Sequence, residues 1–317
     1  MTLILPCTFI LFPKTIVMPS RFQYFSPGLK LLMLFLMMLA AVVVVSLLTG
    51  IIGWVAFGDM QFEIDLLLER AGLVKFIQAT QTILVFIVPS LIAAKLFWPE
   101  EARGLFSTKG LSLNVLFASA VTMALSQLFI GWTGALNSDL VLPESWSAVS
   151  EWMAKAEKEA MELTSVLIKY DSDAGFLLNI VIIAFLPALG EEWLFRGHVQ
   201  RYFSGWFGNV HAAIFVTAFL FSAMHLQFMT FLPRFFLGLI LGYLFYLGKN
   251  LWYSVAAHFT NNFLALVAMR GHDPMEALSM DKSMGQGFYA GVVISAISVI
   301  GMLFLISRSV SSSKYGR

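Results

Sequence analysis

Glu191 and Glu192 stand side by side, with Arg196 one helical turn further on, inside a stretch that otherwise reads as membrane-spanning. A charge at the centre of a bilayer costs from about 3 kcal/mol upward, so a chain that accepts several of them uses them on an interior face, with partners. On a helix Glu192 and Arg196 share a face and can form an ion pair. Glu191 is rotated by about 100° from Glu192 and is therefore expected to have a different partner. A carboxylate buried without a cation of its own suits a general base or acid.

Two further pairs repeat the four-residue spacing. Phe221 and His225 fall on one face of the next apolar stretch, and His258 and Asn262 on one face of a later one. If the three faces converge, a carboxylate, two imidazoles and an amide meet in the apolar layer. Such a set can activate water and offer donors to a developing oxyanion. Each residue also has a plainer reading by itself: a packed histidine, an interhelical asparagine hydrogen bond, a structural ion pair. The argument rests on their occurring together. Glu191, His225 and His258 would equally make a three-ligand zinc site with an open position, although the His-Glu-x-x-His zinc helix is missing. His198, His211 and His272 lie near the ends of apolar stretches and read as interfacial, and Lys95 as snorkelling; none is given a catalytic role.

The elements that must position these residues are helices in a membrane. Of 317 residues 59% are hydrophobic and only 12% charged, half the charged share of a soluble domain, about 25%. The apolar runs are continuous rather than alternating, so the fold class is all-α, a polytopic membrane protein with an intramembrane polar cavity. Eight runs are long enough to cross: 31–57, 73–98, 111–136, 175–203, 208–230, 233–248, 251–270 and 287–307. The fourth is long, and its end, with Arg196, His198 and Arg201, is expected to emerge into headgroups. Counted from the span ends, Glu191 and His225 each lie about 24–25 Å into their helices at 1.5 Å per residue. The two helices must therefore be offset, tilted or broken for the side chains to meet, and Pro187 and Gly190 could supply a bend.

The organisation follows: an N-terminal segment (1–30), three spans (31–136), an extramembrane loop (137–174), a four-span core (175–270), and the last span with its tail (271–317). In the loop, Trp146, Val149, Trp152, Met153, Ala156, Ala160, Leu163 and Leu167 recur at helical spacing, which predicts an amphipathic helix on the membrane surface. An interfacial spacer is the favoured reading, a cover for the site the other. Gly238 and Gly242 predict close helix packing. With both termini inside, twelve of the twenty Lys/Arg fall on the inner side, which favours cytoplasmic termini. The first residues, to about Met18, read as an extended start or a surface segment. Cys7, the single cysteine, permits no intramolecular disulfide, and a formal net charge of +1 gives no reason to expect nucleic acid. Nothing in the sequence assigns an oligomeric state.

In their order and on separate spans, Glu191-Glu192-xxx-Arg196, Phe221-xxx-His225 and His258-xxx-Asn262 resemble the CPBP family, the CAAX prenyl endopeptidases and their bacteriocin-processing (Abi) relatives. The stretch from Phe236-Leu-Gly-Leu-Ile-Leu-Gly-Tyr through Lys249-Asn-Leu-Trp-Tyr to His258 is also similar, so the resemblance covers about 175–265. It implies an intramembrane endopeptidase acting on a membrane-associated peptide or protein. Glu191 and His225 would activate water, His258 and Asn262 would stabilise the oxyanion, and Glu192 with Arg196 would be a structural pair. It further implies glutamate-dependent chemistry with no obligatory metal, zinc being the alternative. A non-proteolytic scaffold or immunity-type binding protein is the alternative function. The compact loops point to a bacterial plasma membrane.

Overall fold

A computed structural model describes residues 21–58, 70–98, 107–140, 142–270 and 286–315. The N-terminal segment with Cys7 and Met18, and the loop with His272, lie outside the described residues. Within them, all regular structure is helical. The helices are α1 (Pro27–Phe57), α2 (Ala71–Phe97), α3 (Leu113–Ser138), α4 (Ser147–Leu167), α5 (Asp173–Phe207), α6 (Val210–Ala223), α7 (Phe231–Gly248), α8 (Leu251–Ala268) and α9 (Gln286–Tyr315). Leaving aside α4, eight helices occupy the places of the eight expected crossings. Six are long and apolar enough to span a membrane, α6 is a shorter apolar helix of 10–17 residues, and α8 is not among the six. Ser254, His258, Asn261 and Asn262 make α8 less apolar.

Asparagine and serine side chains start the helices that matter most. Ser172 accepts from the Gly175 N–H at the head of α5, Asn209 from His211 and Ala212 at α6, and Asn250 from Trp252 at α8. Each satisfies donors that a helix start leaves orphaned.

Helices α2 and α5 run unbroken but not uniformly α-helical. Each contains a π-helical segment, Thr82–Ile87 in α2 and Ile180–Phe185 in α5, and each segment is followed two residues later by a proline, Pro89 and Pro187. A proline inside a helix has no N–H to donate and its ring collides with the carbonyl four residues back. The wider π turn admits it without ending the helix. The bend expected at Pro187 thus takes the form of a π turn just before it. A third π segment, Phe195–Val199, follows the acidic pair directly. Gly190 is where α2 and α5 meet: a Cβ there would lie 3.1 Å from both Phe86 Cβ and Ile87 Cγ1.

Helix α3 packs between α9, α8 and α7, while α6 lies along α7 and against the end of α5. Gly238 permits the α6–α7 approach, since a Cβ there would fall 3.0 Å from Ala218 Cα. Gly238 and Gly242 therefore have the packing role expected of them.

Candidate active site

Helix α6 ends where its chemistry begins. The apolar run continues to residue 230, but the helix stops at Ala223, and His225 sits in the turn that follows. Fourteen residues rise about 21 Å, short of the ~30 Å hydrocarbon layer. The structure thereby meets the requirement for a broken or offset helix.

Broken backbone at membrane depth needs internal partners, and here it has them. Asn137 of α3 donates to Phe228 O and accepts from Leu232 N–H, both at 2.7 Å. Ser222 Oγ donates to Phe231 O, and Glu157 of α4 accepts from Met229 N–H. Arg234 donates to Thr230 and Gln227. None of these residues was among the sequence candidates. Asn137 and Arg234 carried the available signal, a polar group beside or inside an apolar span.

Helix α5 supplies the acids. Glu192 and Arg196 form the expected ion pair, 2.6 Å apart, with both side chains fully buried. Arg196 also donates to Gly238 O at 2.9 Å and lies over the Phe221 ring. The end of α5 does not emerge into headgroups at this point: Arg196 and His198 are enclosed. His198 is correspondingly not interfacial. Its Nε2 donates to Ser90 O of α2 at 2.9 Å, leaving Nδ1 to accept from the Tyr202 hydroxyl at 3.0 Å. Charge and polarity placed it near the surface, whereas a fixed hydrogen-bond pair holds it inside.

The two acids share a partner after all. His258 Nδ1 lies 2.9 Å from Glu192 Oε1, and its Nε2 lies 3.8 Å from Glu191 Oε2. Rotation about the α5 axis separates the carboxylates, but an imidazole from α8 has two nitrogens on opposite edges and reaches both. Phe221 braces the group, edge-on to His258 and His225 and under Arg196. His225 Nδ1 lies 2.8 Å from Phe221 O. A carbonyl only accepts, so Nδ1 carries the proton and Nε2 of the neutral ring keeps its lone pair.

Glu191 and His225 line one cavity of about 460 Å³. Gln78 and Gln81 of α2 and Gln227 add polar groups to its wall, and Ala160, Leu163, Thr164 and Leu167 of α4 close it on one side. The amphipathic helix is therefore a cover for the cavity and not a spacer. Its C-terminal end is anchored by Lys75, which donates to Lys169 O, and Asn179, which donates to Ile168 O. Trp152 packs on Phe228. His258 and Asn262 are not part of that wall. Asn262, one turn along α8 from His258, accepts from Asn261, which in turn accepts from Gln127 of α3.

The zinc alternative needs three donors at one point. Among the described residues, no three His, Cys, Asp or Glu side chains are gathered closely enough to hold a metal ion.

Fold and cluster together define an all-helical membrane protein built around a buried acid–imidazole–guanidinium group beside a covered cavity. Residues 173–264, from the head of α5 into α8, match the family model of the type II CAAX prenyl endopeptidase Rce1-like proteins. That segment is similar to the CAAX-protease family, as the three motifs implied. Searches of curated proteins and of solved structures found no match to the chain.

Proposed function

We propose that this protein is an intramembrane endopeptidase that hydrolyses a peptide bond in a membrane-associated peptide or protein, using Glu191 and His225 and no obligatory metal. The observation that carries the reading is the shared cavity of Glu191 and His225, backed by His258 held against both acids. Glu191, assisted by His225 Nε2, takes a proton from water, and the hydroxide attacks the scissile carbonyl carbon. Electrons move onto the carbonyl oxygen, and the proton then passes to the leaving nitrogen as the C–N bond breaks. The products are a carboxylic acid and an amine, which by proton transfer become a carboxylate and an ammonium.

In this scheme His258 and Asn262 stabilise the oxyanion, reaching the cavity they do not line only once substrate enters. Glu192 holds the Nδ1–H of His258, so donation from Nε2 requires a ring carrying both protons. Asn262 would donate from Nδ2, since its Oδ1 accepts from Asn261. The membrane in this reading is a bacterial plasma membrane, with both termini in the cytoplasm.

The test is cleavage of quenched fluorescent peptides, prenylated ones included, by detergent-purified protein. Glu191→Ala and His225→Ala should each lose about 10²–10⁴-fold in kcat/KM, the usual worth of a general base, while a chelator changes nothing. Full activity in Glu191→Ala would sink the proposal. Loss with chelator that zinc restores would replace it with a metal-dependent one.

A further inference from the structure

The pair that attacks cannot also hold what the attack creates. Glu191 and His225 line the cavity, but an ionised carboxylate only accepts, and the one N–H of the neutral His225 ring is committed to Phe221 O. His258 and Asn262 do not line it. An oxyanion forming beside the pair therefore calls for a donor that the wall already offers. Resting on the peptidase reading above, we propose that Gln227 is that donor and gives a hydrogen bond from Nε2 to the oxyanion of the scissile carbonyl.

Position is the first ground. Gln227 lines the same cavity and follows His225 by two residues in the turn after α6, so one short piece of backbone places both. It is half-buried, so its amide is open to the cavity rather than sealed in protein. The second ground is which end of the amide is on offer. Arg234 donates to Gln227 Oε1. A guanidinium only donates, so the atom that meets it is the oxygen. Arg234 is not part of the cavity wall, and Nε2, which has no partner among the described residues, is the end left for the cavity.

The third ground is that this donor is already held. Arg234 also donates to Thr230 Oγ1, and that hydroxyl donates to Gln227 O, which closes a ring of three residues around the turn. A donor fixed before the charge appears needs no reorganisation when it does. The guanidinium behind the amide also polarises its N–H. The other polar groups of the wall lack this arrangement. Thr164 gives its hydroxyl proton to Ala160 O, and Gln78 and Gln81 have no side-chain anchor of this kind among the described residues.

The test compares Gln227→Glu and Gln227→Met with the parent protein on a quenched fluorescent peptide that the parent cleaves. Glutamate keeps the side-chain length and an oxygen for Arg234 but has no N–H; methionine removes donor and acceptor without adding charge. Both should lose about 10²–10³-fold in kcat, the worth of one oxyanion donor. KM should stay within about twofold of the parent, because the bond is made only in the transition state. A peptide phosphinate, whose tetrahedral anion imitates the intermediate, should bind both variants more weakly by a similar factor. A purely structural Gln227 would spare the glutamate variant, in which Arg234 stays paired, and would leave phosphinate binding unmoved; either result overturns the assignment. Should the methionine variant not fold, the glutamate variant decides alone, and an unchanged kcat there overturns it. Glu191→Ala run alongside separates the two failures. Cleavage that dies in Glu191→Ala but keeps its full kcat in the Gln227 variants removes only the role of Gln227, whereas full activity in Glu191→Ala removes the peptidase mechanism on which that role rests.

Discussion

Helices α1 and α5 are both long and apolar, yet they treat their surroundings in opposite ways. In the most apolar stretch of α1 only 11% of residues are buried, against 33% in α5. Leu32, Phe35, Leu47, Trp54 and Val55 of α1 all face outward, and the more apolar helix is the less enclosed one. Glu192, Arg196 and His198 of α5 are fully enclosed. In lipid, apolar side chains gain nothing by leaving the solvent, so burial is driven by packing and polar partners instead. Where a membrane helix carries charge, it turns inward, and that is where chemistry is to be found.

The sharpest way to break this contrast is to remove a charge from the enclosed face. Beyond the expected loss of cleavage in Glu191→Ala and His225→Ala, Arg196→Met should destabilise the protein by about 3–5 kcal/mol, because Glu192 is left buried without its guanidinium partner. Glu192→Gln/Arg196→Met removes both charges and keeps an acceptor for His258 Nδ1. It should lose less stability than Arg196→Met alone, measured by thermal unfolding in detergent. Equal losses would mean that Arg196 acts through its packing on Phe221 rather than its charge.

A smaller effect is expected where α6 meets α7. A side chain at Gly238 would press on Ala218 backbone and also move the carbonyl that binds Arg196. Gly238→Val should cost about 1–3 kcal/mol, the usual range for overpacking, with the same unfolding assay as the check.

How much of this the sequence carried varies with the kind of signal. Four-residue spacing at Glu192/Arg196 reveals a helical pair, because the geometry is local. The eight helices were legible from run length for the same reason. His258 serving both acids was not, since it depends on where α8 crosses α5. The early end of α6 was hidden by apolar residues that continue through the turn, with no glycine to mark it. The turn instead uses Leu226, at φ 52°. The interior position of His198 was also hidden, because its partners Ser90 and Tyr202 are recognisable only once α2 is packed on α5.

Leu226 offers a finer test of the same contrast. A leucine in the left-handed region costs about 1–2 kcal/mol that glycine avoids, and strain of this kind gathers at functional sites. Leu226→Gly should therefore raise stability by about 1 kcal/mol. It should also lower kcat, since the turn that fixes His225 beside the cavity becomes freer. Higher stability with unchanged kcat would show that the strained residue does not hold His225.

The smallest effect belongs to α1, and it tests whether the outward face of that helix is free of a protein partner. Phe35 is 60% exposed on α1. In water, exchanging an exposed phenylalanine for serine would be neutral or helpful. In a bilayer it removes an apolar group from an apolar solvent and leaves a hydroxyl that can bond back to its own helix, so little is lost. Phe35→Ser and Phe35→Leu should both stay within about 0.5 kcal/mol of the parent and leave cleavage unchanged. A loss from Phe35→Ser near that expected of Gly238→Val would mean that α1 has a protein partner along this face. The contrast between the two helices would then be one between two interfaces, not between lipid and core.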